Sequence, residues 1–195
     1  QPAFPEINFI EVDHKKTGDA TYDFFYGHPK KVLEEKECKH IFCLYSHLTG
    51  VNVTNKKLAQ LLKFDEYKYA VASVPFEEKW KMKISRNNQR EDQLIKKLDI
   101  KNKYIVVHEN ASVFSTKIQL PLDVEKSYKV IKITEITDNI FDWIKAIENA
   151  EMFVCVDSSI ANLVEQMDLC PRKYMLFQND DRAKPVYIRN WVFNT

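Results

Sequence analysis

The architecture of the chain is predicted by one segment, Met152-Phe153-Val154-Cys155-Val156-Asp157-Ser158-Ser159-Ile160-Ala161-Asn162-Leu163-Val164-Glu165-Gln166-Met167. It opens with an unbroken apolar run, which is typical of a strand buried on both faces. Apolar residues then recur at the spacing of a helix, at Ile160, Leu163, Val164 and Met167. The segment therefore predicts a strand, a short turn and a helix, which is the repeating unit of a parallel α/β sheet.

The turn of this segment, Asp157-Ser158-Ser159, is polar and lies at the carboxyl end of the predicted strand. Ligands bind at that end of open parallel sheets, and the following helix offers free N–H groups and the positive end of its dipole. The turn therefore predicts a site for an anionic ligand. The simpler alternative is that Ser158 or Ser159 only caps the helix.

Further strand-like and helix-like stretches extend this pattern along the chain. Predicted strands occupy 7–12, 40–45, 69–74, 104–107, 130–133 and 173–177. A predicted helix runs through Leu98, and another begins at a cap formed by Thr137 or Asp138. The alternation predicts an α/β fold with a mainly parallel, Rossmann-like sheet and helices on both faces.

A polar connector separates two sets of these elements. We place the expected boundary there, between a partial or small N-terminal α/β lobe, 1–85, and a Rossmann-like C-terminal lobe, 86–195. The tail 186–193 is apolar enough to pack back on the body of the protein. The chain opens at Gln1 without an initiator Met, which suggests a trimmed, processed or truncated chain.

The amino-acid composition makes several classes of function improbable for this chain. Among 195 residues, 45% are hydrophobic and 29% charged, with a net charge of +1, so no strong field attracts nucleic acid or an anionic membrane. No apolar run is long enough to span a bilayer. The four cysteines lack metal-ligand spacing, and we expect reduced thiols in a cytoplasmic protein. Three glycines in the whole chain exclude a Gly-rich phosphate loop.

Polar groups follow three of the predicted strands. They are His108-Glu109-Asn110-Ala111-Ser112, Asp157-Ser158-Ser159 and Gln178-Asn179-Asp180-Asp181. If these strands are parallel neighbours, their carboxyl ends share one edge and the three groups converge. Their joint placement predicts a ligand cleft at that edge.

Two of these groups carry a resemblance to a known family. The run Tyr104-Ile105-Val106-Val107-His108-Glu109-Asn110-Ala111-Ser112 resembles the opening of the C-terminal lobe of heptosyltransferase-like glycosyltransferases of the two-Rossmann (GT-B) architecture. The run 156–163 resembles the Asp-Ser-Gly-x-x-His-x-Ala motif of that family. The resemblance covers roughly residues 86–180. Asn110 and Ser159 stand where the family has Gly, and Asn162 stands near the position of the motif's His.

The resemblance implies metal-independent transfer of a sugar from a nucleotide-sugar donor to a glycan acceptor, with no other cofactor. It implies that Ser158 and Ser159 face the phosphates, that Lys117 and Arg86 supply positive charge, and that Glu165 reaches a ribose hydroxyl. The full set of implied binding residues is Arg86, Asn110, Ser112, Lys117, Asp157, Ser158, Ser159, Asn162 and Glu165. His108 is the candidate hydrogen-bond donor or acid, and Asp13 is the nearest candidate general base.

Two other readings of the sequence stay open. The N-terminal half is short for a complete lobe and the motif glycines are missing, which favours a non-catalytic module that binds a nucleotide or a glycan. Alternatively, the chain is an interaction domain in which Asp157-Ser158-Ser159 is only a helix cap. We expect no nucleic-acid partner and no transmembrane segment. We also expect no metal, because no Asp-x-Asp pair follows a predicted strand.

Overall fold

The computed structural model of the protein describes residues 8, 10, 26–41, 43–44, 60–111, 114–177 and 184–194. The chain divides into two compact units. The C-terminal unit comprises the described residues of 82–177 and 187–194, and the N-terminal unit comprises those of 8–81 and 184–186. The ligand site predicted at Asp157-Ser158-Ser159 falls within the C-terminal unit.

The C-terminal unit is built on a sheet of five strands, all of them parallel. The strands are β1 Tyr104–His108, β2 Lys129–Lys132, β3 Met152–Val156, β4 Lys173–Leu176 and β5 Trp191–Asn194. Their order across the sheet is β2-β1-β3-β4-β5, and His108 pairs with Cys155 where β1 and β3 end. The predicted α/β fold with a mainly parallel sheet is confirmed.

Six α-helices have both ends within the described part of the chain. They are α1 His28–Glu35, α2 Glu66–Val71, α3 Asn88–Leu98, α4 Leu122–Ser127, α5 Ile144–Glu148 and α6 Ser159–Met167. Two 3₁₀ helices, Phe76–Lys81 and Ile140–Trp143, complete the set. The first two α-helices belong to the N-terminal unit, and the other four surround the sheet.

Helices cover both faces of the sheet because alternate strand residues point to opposite sides. Val106 and Phe153 are buried in a cluster with residues of α3, α5 and α6. Ile105 and Val154 lie in a second cluster, which includes Ile118 and residues of α4. Each of these large apolar side chains contributes roughly 1.5–3 kcal/mol when it is fully buried. The sheet is therefore a well-packed central layer, and it holds in place the residues at the ends of its strands.

The helix α6 forms where its apolar spacing predicted. Ser158 is its N-cap, with an extended backbone and a side chain that accepts a hydrogen bond from the Ala161 N–H group. The helix ends at Met167, and the C-cap Asp168 adopts a left-handed conformation with φ 52°. Asp168 also accepts a hydrogen bond from Lys173 Nζ at 2.9 Å, which ties the end of α6 to the start of β4.

Two details of the C-terminal unit differ from the sequence prediction. The cap expected at Thr137 or Asp138 is formed instead by Asn139, whose side chain accepts a hydrogen bond from the Phe141 N–H group at 3.0 Å. A 3₁₀ helix, Ile140–Trp143, precedes α5, and Asn139 is the residue directly before it. The strand β5 was not predicted, although the chain segment 186–193 was expected to pack on the body of the protein. Its aromatic residues do so, because Trp191 contacts Phe153 with ring centroids 6.2 Å apart.

The N-terminal unit differs more. The strand predicted over 69–74 is wrong, because Glu66–Val71 forms the helix α2. Asp65 caps this helix by accepting a hydrogen bond from the Glu66 N–H group at 3.1 Å. A short apolar run without clear periodicity fits a strand and a helix equally, and at this position the Asp65 cap favours the helix.

The other two strands predicted in the N-terminal unit are only partly described. Residues 40, 41, 43 and 44 belong to one of them, and none of these four lies in a strand. The predicted strand 7–12 lies outside the described residues except for 8 and 10.

Candidate ligand site at the carboxyl edge of the sheet

In an open parallel sheet a crevice is expected where the strand order reverses, which in this sheet is at the carboxyl ends of β1 and β3. The connection that leaves β1 packs through α4 on one face of the sheet, and the connection that leaves β3 packs through α6 on the other. Two chains that depart to opposite faces leave an opening between them, and ligands of open α/β sheets bind at such a switch point. The residues that border this opening are His108 on one side and Asp157, Ser158 and Ser159 on the other.

His108 and Ser158 meet across this opening. His108 is the last residue of β1 and lies on the same face as Tyr104 and Val106, beneath the start of α6. Its Nδ1 atom lies 3.1 Å from Ser158 Oγ, within hydrogen-bond distance. Ser158 is half-buried and Ser159 is exposed, whereas His108 is buried, so the turn reaches solvent and the imidazole lies beneath it.

Burial favours the neutral form of the His108 imidazole. The side chain is buried, and burial lowers the pKa of His108 below its ordinary value of 6.5. A neutral imidazole has one donor and one acceptor nitrogen. When Nδ1 accepts from the Ser158 hydroxyl, the proton lies on Nε2. His108 can then donate a hydrogen bond to a ligand without adding a charge.

The first turn of α6 supplies two further donors. The Ala161 N–H group is bound to Ser158 Oγ, and the Asn162 N–H group donates to the Ser158 carbonyl oxygen at 3.1 Å. The N–H groups of Ser159 and Ile160 have no acceptor within the described residues. Such groups at the start of a helix bind anions, because their dipoles point at the ligand.

Asp157 lies next to these donors. Its Oδ1 atom accepts a hydrogen bond from the Tyr187 hydroxyl at 2.7 Å. Burial first, and then the charge of Asp157, raise the pKa of Tyr187, so the phenol stays protonated and acts as the donor. Tyr187 was not among the candidates from the sequence. It lies in the tail that follows β4, and no sequence signal indicates which strand end that tail approaches.

Asn162 supports the turn from inside the helix. Its Nδ2 atom donates to the Ser158 carbonyl oxygen at 3.0 Å, so the side chain fixes the cap residue. The structure thus brings together five of the residues predicted from sequence: His108, Asp157, Ser158, Ser159 and Asn162.

The residues that follow β1 are mostly engaged with one another. Asn110 Oδ1 accepts from the Ser115 hydroxyl at 2.7 Å, and Lys117 is exposed. Glu109 accepts from the Ile118 N–H group at 2.8 Å and pairs with Lys132 at 2.7 Å. The Glu109–Lys132 pair at the end of β1 was also missed, since the two residues are brought together only by the pairing of β1 with β2.

Arg86 is occupied within the fold. Its guanidinium donates to both oxygens of Glu91, at 3.0 and 2.6 Å, and to both oxygens of Glu148, at 3.1 and 2.9 Å. The Glu91 side chain is almost fully buried. These hydrogen bonds, of which those to Glu91 are the larger cause, raise the pKa of Arg86. The side chain therefore joins α3 to α5.

Glu165 is also used inside the fold. Its side chain is fully buried, and its carboxylate accepts from the Ile188 and Arg189 N–H groups at 2.7 and 3.1 Å. A third donor is Trp191 Nε1 at 2.6 Å. The carboxylate therefore holds the segment that leads into β5. Asp13, Ser112 and the polar group 178–181 lie outside the described residues.

No protein-family model, curated protein or solved structure gave a significant match to this chain. None of the helices in the described part of the chain has the length and apolarity that crossing a membrane requires. The same residues contain no group of three or more His, Cys, Asp or Glu side chains that could hold a metal ion.

Proposed function

We propose that the C-terminal unit binds the phosphate portion of a nucleotide-type ligand at the crevice between β1 and β3, and that the ligand class is a nucleotide sugar. One observation carries this proposal. The two N–H groups of Ser159 and Ile160 lie beside a His108–Ser158 pair at the switch point of the sheet. Two kinds of neutral donor thus border one opening: the backbone N–H groups and the imidazole Nε2–H group, which is free because the Ser158 hydroxyl donates to Nδ1.

The arrangement suits a phosphate even though glycine is scarce. A helix N-terminus attracts anions through oriented N–H dipoles, and it does so without a Gly-rich loop. The neutral imidazole can donate a hydrogen bond to the phosphate without the cost of burying a charged side chain of its own. Phosphate oxygens are strong acceptors, and hydrogen bonds to a charged acceptor are worth roughly 1.5–3 kcal/mol each.

Sugar transfer is the more specific part of the proposal, and it rests on the likeness of 104–112 and 156–163 to glycosyltransferase motifs. In that role the two N–H groups would stabilise the diphosphate leaving group as negative charge develops on it. Asp13 is then the general base that activates the acceptor hydroxyl. The alternative is a module that binds the nucleotide sugar without reaction, and the Asn110 and Ser159 substitutions for glycine favour this alternative.

Binding is tested by thermal unfolding of the full chain with UDP-, GDP-, ADP- and CMP-sugars. We expect one nucleotide class to raise the Tm, by roughly 3–6 °C at a ligand concentration of about ten times Kd. No shift with any of the four at millimolar concentration contradicts the proposal.

Two substitutions place the binding at α6. Ser159→Pro removes one of the free N–H groups, while Pro is well tolerated at the first position of a helix and Ser158 is already extended. We expect this variant to fold as the wild type does and to lose the ligand-induced shift. The matched control is Asn88→Pro at the first position of α3, which should keep the shift.

Transfer is separated from binding by a second measurement. Release of nucleoside diphosphate in the presence of an acceptor, abolished in Asp13→Asn but with donor binding intact, supports a glycosyltransferase. Donor binding without release supports the non-catalytic module.

A further inference from the structure

The Asp157 carboxylate is held in one orientation at the edge of the crevice. Its Oδ1 atom accepts from the Tyr187 hydroxyl at 2.7 Å. Its Oδ2 atom has no partner within the described residues, and the side chain is only half-buried. An ionised carboxylate is an acceptor only, so this free oxygen can take a hydrogen bond from a donor on a ligand.

Tyr187 is itself held firmly, which is why the orientation of Asp157 is fixed. Its ring packs against Trp191 at 5.6 Å and against Phe193 at 6.1 Å between centroids. The residues that follow it, Ile188 and Arg189, donate their N–H groups to the buried Glu165 carboxylate. The Tyr187 hydroxyl is therefore supported by aromatic packing and by two backbone hydrogen bonds of its own segment.

The position of Asp157 has a consequence for the type of ligand. It directly precedes Ser158 in sequence, so a phosphate bound by the Ser159 and Ile160 N–H groups lies close to a carboxylate. A second anionic group placed there is repelled, whereas a hydroxyl donates to the carboxylate. A ligand that carries hydroxyls close to its phosphate can therefore bind the N–H groups with the phosphate and the Asp157 carboxylate with a hydroxyl.

We propose that Asp157, positioned by Tyr187, accepts a hydrogen bond from a hydroxyl of the ligand and thereby selects sugar phosphates over phosphates that lack hydroxyls. This inference rests on the proposed function, since it requires a phosphate at the start of α6. Tyr187 is a positioning residue in this scheme, and Asp157 is the group that contacts the sugar.

The test uses two probes of equal charge type, ribose 5-phosphate and methyl phosphate, which differ in their hydroxyl groups. Each is titrated into the isotopically labelled full chain, and the amide signals of Ser159 and Ile160 report binding by NMR. For the wild type we expect ribose 5-phosphate to bind about tenfold more tightly than methyl phosphate, as one hydrogen bond to a charged group allows.

Two variants locate the origin of this preference. Asp157→Asn should bring the ratio of the two affinities close to one and tighten the binding of methyl phosphate, because the repulsion is removed. Tyr187→Phe keeps the ring and removes only the hydroxyl, so the ratio should fall severalfold while methyl phosphate binds as before.

The matched control is Tyr104→Phe. It removes a hydroxyl of the same unit that donates to the Ala146 carbonyl oxygen at 2.8 Å, and Tyr104 lies at the opposite end of β1. This variant should lose stability but keep the wild-type ratio. A preference that both tyrosine variants reduce equally is a structural effect and overturns the role of Tyr187.

The outcomes also separate this inference from the function on which it rests. Equal affinity of the wild type for both probes, with Ser159 and Ile160 perturbed by each, overturns the selectivity proposal and leaves phosphate binding supported. No perturbation of these two signals by either probe overturns both proposals.

Discussion

Two carboxylates of the same strand-turn-helix segment differ in burial and in the number of hydrogen bonds that they accept. Glu165, in the middle of α6, is fully buried and accepts three hydrogen bonds from the segment that leads into β5. Asp157, at the end of β3, is half-buried and accepts one hydrogen bond, from Tyr187. Both are acidic residues within reach of the same C-terminal segment. The difference is that described residues donate to both oxygens of Glu165 and to only one oxygen of Asp157.

This difference indicates where a ligand can act. A carboxylate that accepts hydrogen bonds on both oxygens from donors inside the fold serves stability, because each of those donors would otherwise be left unsatisfied. A carboxylate with a free oxygen at the surface of a crevice has capacity for a ligand. The comparison predicts that substitutions at the two positions separate stability from binding.

The largest effect is expected for Glu165→Ala. It leaves the Ile188 and Arg189 N–H groups and Trp191 Nε1 without their acceptor, and we expect the free energy of unfolding to fall by about 3–5 kcal/mol. Urea denaturation of the variant and the wild type measures this loss. Asp157→Ala is the comparison, and it should cost about 1 kcal/mol or less. Equal losses at the two positions would contradict the distinction.

A smaller effect is expected at the two serines. Ser158→Ala removes the cap of α6 and the partner of His108, and should lower the free energy of unfolding by about 1–2 kcal/mol. Ser159→Ala removes an exposed hydroxyl and should change it by less than about 0.5 kcal/mol. Chemical denaturation of both variants under the same conditions compares them. Similar values would show that the cap does not reside in Ser158.

The smallest effect is a pH dependence at His108. Burial lowers the pKa of His108 in the folded protein, whereas the unfolded chain has a value of about 6.5. The unfolded state therefore binds the proton more readily, so the His108 contribution to stability is complete above about pH 6.5 and is lost as the pH falls toward the folded pKa.

The measurement is urea denaturation from pH 5 to 8 of the wild type and of His108→Gln, which cannot titrate at this position. The wild type should lose stability below pH 6.5 more steeply than the variant. Parallel curves would mean that the imidazole is not kept neutral by burial.

The sequence was informative about the C-terminal unit because its elements repeat regularly. The strands β1 to β4 and the helix α6 are marked by apolar runs and by helical spacing, and neighbouring parallel strands must end at one edge. The contact between His108 and Ser158 follows from that rule. The N-terminal unit gave no such regular signal, and the run 69–74 was assigned to a strand although Asp65 caps a helix there.

The uses of single polar side chains were harder to predict. Arg86 and Glu165 have the charges that a nucleotide site needs, and the sequence does not show that Glu91, Glu148 and the β5 segment engage them. Tyr187 lies far along the chain from Asp157, and only the packing of the tail brings the two together.

By itself, the sequence determined the α/β class, the parallel strands and the polar edge between β1 and β3, because hydrophobic periodicity and helix capping act over a few neighbouring residues. Only the tertiary structure decided which of the polar groups still have a free acceptor or donor. The reason is that each hydrogen-bonding group has a small, fixed capacity, and distant segments of the chain fill that capacity when they pack.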